Sequence, residues 1–125
     1  MGIPKWEKTY AVEIDTHKDA GTDQGSNAPG AEGDSNHVAI LRGHSNNHIR
    51  AKNYNAKSFT NESWHTMKVR VQNRKVTVWV NNKKVFAYKA NEMRSTFFPI
   101  VVAVGGGDRA NRTLIKGLNI KGNGF

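Results

Sequence analysis

Residues 64–80 read WHTMKVRVQNRKVTVWV and alternate apolar with polar side chains over most of their length. Successive side chains of a β-strand point to opposite faces, so this pattern indicates two half-buried strands, Trp64–Val71 and Lys75–Val80. The polar triplet Gln72–Arg74 between them predicts a turn, and Asn81–Lys83 predicts a second turn. On each strand the apolar residues share one parity: Met67, Val69 and Val71 on the first, and Val76, Val78 and Val80, facing the core, on the second.

Other short strands flank this hairpin. Alternation or a short apolar run predicts strands at Tyr10–Asp15, at His37–Leu41, near Ile49, at Lys84–Tyr88 and at Thr113–Ile120. Phe97–Val104 is apolar on both faces, which is typical of a central strand covered on both sides. A weak helical pattern covers Ala90–Arg94, and a polar loop is predicted at Ala20–Gly33. Short, regularly spaced strands with Asn and Gly turns indicate an all-β sandwich or jelly roll.

The composition indicates one basic domain. The chain has 125 residues, no cysteine and a formal net charge of +9. This length suits a single domain, residues 1–125, and the lack of cysteine excludes disulfides within the chain. No apolar run reaches the length that spans a bilayer, and the first residues lack the apolar core of a signal peptide. The positive charge favours anionic partners such as nucleic acid, an acidic glycan or anionic lipid, although a plain soluble surface explains it equally well.

Acidic side chains cluster between Glu13 and His37. Glu13 and Asp15 are two residues apart on a predicted strand and therefore point to one face. Asp34 closes the polar loop that follows, just before the strand beginning at His37. Grouped carboxylates are costly to desolvate unless a cation or hydrogen-bond donors compensate them. Carboxylates, a backbone carbonyl and an imidazole suit a metal ion, so the segment predicts a metal site on a β scaffold. The alternative is a solvated acidic strand end beside a flexible loop.

The order of these motifs resembles the concanavalin A-like lectin fold, and more narrowly the legume-type (L-type) lectins. Ala11–Thr16 is similar to that family's Val-Glu-Phe-Asp-Thr strand, and Asp34–Ile40 resembles its Asp…His-Ile-Gly-Ile strand. Trp64–Asn81 resembles its hairpin, and Val101–Gly107 resembles its closing strand and sugar-side loop. The match covers only the C-terminal half of the family's domain. The resemblance therefore implies a compact or half-length jelly-roll sandwich, which a homo-oligomer or partner chain would complete if it is not complete alone.

The resemblance also implies metal ligands. A transition-metal site, of the kind that holds manganese in the family, would use Glu13, Asp15, Asp34 and His37. The adjacent calcium site would share both Asp residues and add the backbone carbonyl of His17 and the side chain of Asp19. Asp19 stands where the family has Asn. We expect calcium at Asp15, Asp19 and Asp34, with Glu13 and His37 as supporting or second-metal ligands.

The resemblance implies a calcium-dependent carbohydrate-binding module, outside the cell or on its surface. The ligand would be a carbohydrate or glycoconjugate, and an acidic glycan is compatible with the basic charge. Sugar contacts would come from Asp19 and from the Gly-rich loop containing Gly106, Gly107, Asp108 and Arg109. The alternative for that loop is a plain turn. Two other functions remain open: anion binding through the basic surface, and a structural adhesion role without sugar activity.

An enzymatic function is not expected from these motifs. Laminarinase-type glycosidases, which share the fold, carry Glu-x-Asp-x-Glu on a strand, and Glu13–His17 matches only the first two acids. Retaining hydrolysis needs two carboxyl groups about 5–5.5 Å apart, and here His17 replaces the second. His44, His48 and His65 are expected to be surface or capping residues. Trp79 has the parity opposite to the core valines, and we expect it to pack under a neighbouring sheet rather than stack on a ligand.

Overall fold

The computed structural model of the chain describes residues 9–16, 37–43, 48–54, 58–91 and 113–122. The six strands are β1 (Tyr10–Asp15), β2 (His37–Arg42), β3 (His48–Asn53), β4 (Met67–Gln72), β5 (Lys75–Val80) and β6 (Lys83–Lys89). They form two antiparallel three-stranded sheets, ordered β1-β2-β3 and β4-β5-β6. No helix occurs in the part of the chain that the structure describes. The all-β prediction is confirmed.

The two sheets pack against each other through one apolar cluster. Val38 and Ile40 of β2 meet Val76, Val78 and Val80 of β5, and all five are almost fully buried. The predicted inward face of β5 is therefore correct. Burial of an aliphatic side chain of this size contributes about 1.5–3 kcal/mol. This cluster fixes which face of the first sheet points away from the second sheet.

Two tight turns join the strands of the second sheet. Asn73 and Arg74 have φ values of 51° and 61°, and Asn81 and Asn82 have φ values of 48° and 64°. Two consecutive residues with positive φ define the type I′ turn, whose twist matches that of a β-hairpin. Asn tolerates this left-handed region better than most residues do, and Arg does not. Both predicted turns are confirmed.

Other strand predictions have mixed outcomes. The strand expected near Ile49 is present as β3, and β4 begins at Met67 rather than at the exposed Trp64. The strand predicted at Thr113–Ile120 is wrong: these residues are exposed and make no strand. Their apolar residues alternate as those of a β-strand do, but a strand also needs a hydrogen-bonded partner. Phe97–Val104, the loop Ala20–Gly33 and most of the predicted helix lie outside the described residues.

Candidate metal centre

The face of the first sheet that points away from the second sheet carries three convergent polar side chains. Glu13 lies in β1 opposite Ala39, and Ala39 lies opposite Ala51 of β3. His37, two residues before Ala39, is a diagonal neighbour of Glu13 on the same face. The two alanines leave room for the longer side chains around them. Glu13, His37 and His48 are each only 6% exposed; we refer to them as the Glu/His/His cluster.

A β-bulge brings His48 to this face. Ile40 pairs with Arg50, but the next residue, Leu41, pairs with His48, so Ile49 has no partner in β2. Without the extra residue, Leu41 would face Ile49 and the side chain of His48 would point toward the second sheet. Instead, Ile49 packs against the valine core and His48 points to the opposite face. Bulges occur often beside functional sites because they redirect a side chain in this way.

The three side chains meet at their tips. His48 Nε2 lies 2.7 Å from Glu13 Oε1 and 3.2 Å from His37 Nε2. His37 Nε2 lies 3.5 Å from Glu13 Oε1. The two imidazole rings meet nearly edge to face, with centroids 5.1 Å apart. One carboxylate oxygen and two imidazole nitrogens therefore form a small buried triangle.

The electrostatics of the cluster favour an ionised Glu13. Burial alone would raise the pKa of Glu13, because the charged carboxylate loses its hydration. Hydrogen bonds from His37 and His48, together with their charge, act in the opposite direction and hold the pKa below its ordinary value. The cluster therefore contains a carboxylate that stays charged at neutral pH.

Protons alone do not satisfy all the close contacts in the cluster. The Nε2 atom of a neutral imidazole carries either a proton or a lone pair. If His48 Nε2 donates its proton to Glu13, it cannot also accept a hydrogen bond from His37 Nε2. In addition, His48 Nδ1 is buried and has no hydrogen-bond partner in the described part of the chain. A cation between the three atoms would use the lone pair of each of them.

The size and chemistry of the triangle fit a metal ion. With edges of 2.7, 3.2 and 3.5 Å, the triangle has a centre that lies roughly 1.8 Å from each atom, slightly less than typical Zn–N and Zn–O bonds of about 2.0–2.2 Å. Glu13, His37 and His48 would therefore be the residues that hold such an ion. The cluster could therefore hold a metal ion. Two imidazoles and one carboxylate are a common ligand set for zinc and for non-haem iron, whereas calcium prefers oxygen ligands alone.

The predicted metal ligands are only partly within the described residues. Glu13 and His37, expected in one transition-metal site, do come together. Asp15 lies on the same face, paired directly with His37. His17, Asp19 and Asp34 lie outside the described residues, as do the proposed sugar-contacting residues Gly106, Gly107, Asp108 and Arg109.

Among the histidines, His48 was mispredicted. It is buried in the cluster rather than at the surface, and only the strand pairing, with its bulge, shows this. His65, by contrast, bridges two loop residues. Its ring nitrogens lie 2.9 Å from Asn61 Oδ1 and 3.0 Å from Asn81 Nδ2. His44 lies outside the described residues.

Comparison with known families shows which family the chain belongs to. The model of the 3-keto-alpha-glucoside-1,2-lyase-like domain family matches residues 3–103. The chain belongs to this family. The family is of the concanavalin A-like lectin and glucanase type, so the broader resemblance is correct, but the narrower assignment to legume-type lectins is not supported. No curated protein and no solved structure matches significantly.

Family membership corrects one expectation and supports others in part. The expectation that the chain is not an enzyme is contradicted, because its family is related to enzymes. The lack of a second laminarinase-type carboxylate in Glu13–His17 bears only on retaining hydrolysis and not on other reactions. The family is compatible with carbohydrate binding, as expected, while calcium dependence is not confirmed. Within the described residues, no helix is both long and apolar enough to cross a membrane.

Proposed function

We propose that this domain acts on a 3-keto-glucoside by 1,2-elimination, at a transition-metal ion held by Glu13, His37 and His48. The observation that carries the proposal is the convergence of their three ligand atoms, 2.7–3.5 Å apart, on a buried face. Membership of a family described as 3-keto-alpha-glucoside-1,2-lyase-like gives the substrate class and the reaction type.

The reaction follows from the position of the ketone. A carbonyl at C3 makes the hydrogen on C2 acidic, because the resulting carbanion is delocalised as an enolate. A base removes that proton, the electron pair forms a C1–C2 double bond, and the C1–O bond breaks. The leaving oxygen takes up a proton and departs as an alcohol. No oxidant or reductant is needed, since the ketone is already present in the substrate.

The protein would contribute three functions to this reaction. Glu13, His37 and His48 would hold the ion, which would supply Lewis-acid stabilisation of the developing enolate oxygen. The buried face would exclude water and so strengthen that electrostatic stabilisation. We assign the base to Asp15, the other acidic residue of the described part of the first sheet, since it pairs directly with His37 on the same face.

The sugar-contacting residues form a further part of the proposal. We assign this role to Asp19 and to the loop residues Gly106, Gly107, Asp108 and Arg109, on the support of the sequence pattern alone. We also infer a location outside the cell, where polysaccharide is present. Replacing Asp108 by Ala should raise KM for the sugar and leave metal affinity unchanged. Equal KM values for the two proteins would remove Asp108 from the site.

The proposal is tested with chelator-stripped protein and a 3-keto-α-glucoside. Zinc, manganese, iron(II) and calcium are added separately, and the released alcohol and the unsaturated keto sugar are followed by mass spectrometry. We expect elimination with at least one transition metal and weak or no stimulation by calcium. Because water can add back across the C1–C2 double bond, the reaction is also run in D2O, where elimination places deuterium at C2. Release of a 3-keto sugar that carries no deuterium at C2 would indicate direct hydrolysis and would contradict the elimination.

The role of Asp15 needs a separate variant. Asp15→Asn should lower the elimination rate by about 10²-fold or more, the usual range for a general base, and leave metal affinity within about threefold. A matching fall in metal affinity would show that Asp15 is a metal ligand rather than the base. Glu62→Gln is the matched control, because Glu62 is an exposed acid in the loop before the second sheet.

A further inference from the structure

The outer face of the second sheet, opposite to the valine core, is strongly basic. Between Met67 and Lys89 the sequence contains Lys and Arg at several positions but no Asp or Glu. Strand register places nine side chains on the outer face: Lys68, Arg70, Gln72, Lys75, Thr77, Trp79, Lys84, Ala87 and Lys89. We refer to this surface as the basic face. All of its cationic residues are exposed.

The cations of the basic face lie in cross-strand rows. One row is Lys68, Trp79 and Lys84, and another is Gln72, Lys75 and Lys89. Neighbouring strands are about 4.8 Å apart and residues rise about 3.3 Å along a strand, so these two rows lie roughly 13 Å apart. Like charges placed directly opposite each other, such as Lys75 and Lys89, destabilise a sheet. A polyanion lying across the face would remove this repulsion.

Trp79 gives the basic face an apolar centre. Its side chain is half-buried, and Lys68 Nζ lies 5.1 Å from the ring centroid. This cation–π contact holds the ammonium group over the ring while leaving its N–H donors available to an anion. Because the ring already restricts the Lys68 side chain, that side chain loses less conformational entropy when an anion binds. Strand register places Trp79 on this outer face, and among the described residues no second sheet lies over it.

We propose that the basic face binds an acidic polysaccharide, that is, a glycan carrying sulfate or carboxylate groups. Lys68, Arg70, Lys75, Lys84 and Lys89 would contact the anionic groups, and Trp79 would contact the apolar side of a sugar ring. This surface lies on the opposite sheet from the Glu/His/His cluster. The chain would then hold a polymer on one sheet while the other sheet carries the proposed catalytic site.

The cations and the single aromatic side chain of the basic face favour a glycan over a nucleic acid as its ligand. Proteins that bind single-stranded nucleic acid on a sheet stack successive bases on two or more aromatic side chains. The basic face offers one aromatic ring, Trp79, among the positions that strand register assigns to it. A polyanion whose affinity comes mainly from its charged groups needs no such series of rings.

The test measures binding of a heparin-derived dodecasaccharide to the full chain over a range of salt concentrations. Wild type should bind, with log K falling linearly with log salt because counterions are released. Lys68→Gln combined with Arg70→Gln should lower affinity about tenfold and reduce the salt slope by about 2. Trp79→Ala should lower affinity about three- to tenfold without changing that slope.

Matched controls separate a specific face from general charge. Arg50→Gln with Lys52→Gln removes one Arg and one Lys from β3 of the other sheet, with the same change in net charge. This control should bind within about twofold of wild type.

Melting curves check that each variant folds. Lys75→Gln combined with Lys89→Gln serves as a second basic-face variant if the first one unfolds. Equal loss in the control, no binding at low salt, or tighter binding to single-stranded DNA of equal charge would each overturn the proposal. Elimination activity on a small 3-keto-glucoside should be unchanged in the basic-face variants, so the two proposals fail independently.

Discussion

At the scale of single residues, Glu13 links the pH dependence of stability to the Glu/His/His cluster. Its pKa is lowered in the folded protein, since the hydrogen bonds and charges of His37 and His48 outweigh the effect of burial. A carboxyl with a lowered folded-state pKa contributes stability above its unfolded-state pKa. That contribution disappears as the pH falls through the folded-state value.

We therefore predict that metal-free wild type loses stability as the pH drops from about 5 into the acid range, more steeply than Glu13→Gln does. Urea denaturation of both proteins at several pH values measures the difference. Glu62→Gln, which removes an exposed acid in the loop before the second sheet, serves as a control for general acid effects. Parallel curves for wild type and Glu13→Gln would show that Glu13 does not titrate as the geometry requires.

At the residue level, Glu13 and His37 do come together, as the resemblance to lectin metal sites implied, whereas His48 was mispredicted as a surface or capping residue. Alternation within β1 was sufficient to place Glu13 and Asp15 on one face, and the observed strand register brings His37 to that same face. His48 needed more information, because its orientation depends on the unpaired Ile49 in β3. A bulge is a property of two paired strands, so nothing in the local pattern of β3 reveals it.

At the scale of elements, the turn between β4 and β5 contains a strained residue. Arg74 has a φ of 61°, a region that costs a residue with a β-carbon roughly 1 kcal/mol and costs glycine almost nothing. Arg74→Gly creates the Asn-Gly pair that type I′ turns favour. We predict that this change raises the free energy of unfolding by about 0.5–1 kcal/mol, measured by urea denaturation.

The control for Arg74→Gly is a glycine in the strand itself. Arg70→Gly should lower the free energy of unfolding, because glycine in a strand loses more backbone entropy and packs no side chain. A fall in stability for Arg74→Gly as well would mean that the positive φ of Arg74 carries no strain. The turn positions were readable from Asn and neighbouring polar residues, but the left-handed conformation of an arginine was not.

Strands were predicted more accurately where the strand that pairs with them is the next one in the sequence. β4, β5 and β6 follow one another through two-residue turns, so each alternating segment has its hydrogen-bonding partner next to it in the sequence. Thr113–Ile120 has an equally regular apolar parity, yet it makes no strand and leaves Leu114, Leu118 and Ile120 exposed. Periodicity describes one strand, whereas a sheet needs two.

At the scale of the whole molecule, the valine cluster joins two sheets whose outer surfaces differ in chemistry: one carries the Glu/His/His cluster and the other is the basic face. Val78 is fully buried between them. Val78→Ala should lower the free energy of unfolding by roughly 1–3 kcal/mol, because it removes buried methyl groups and leaves a cavity. Metal affinity should stay within about threefold of wild type, since the Glu/His/His cluster lies on the other face of the first sheet. Thermal melting and metal titration of this variant check both statements.

The same variant shows how strongly the sheets depend on each other. If circular dichroism and intrinsic tryptophan fluorescence give different melting temperatures for Val78→Ala, the two sheets unfold separately and the shared core does not make them cooperative. Bound metal should stabilise the folded chain by about 2.7 kcal/mol at a free concentration one hundred times Kd. A melting temperature independent of metal would contradict a folded-state site.

Titration of chelator-stripped protein with zinc, for wild type, His48→Ala and His65→Ala, tests the central claim most directly. His48 belongs to the Glu/His/His cluster and was absent from the ligand set expected from sequence. His65 lies outside the cluster and bridges Asn61 and Asn81. We expect one zinc ion per wild-type chain, unchanged affinity in His65→Ala, and at least a hundredfold loss in His48→Ala. Equal zinc affinity in wild type and His48→Ala would contradict the metal centre and, with it, the proposed reaction.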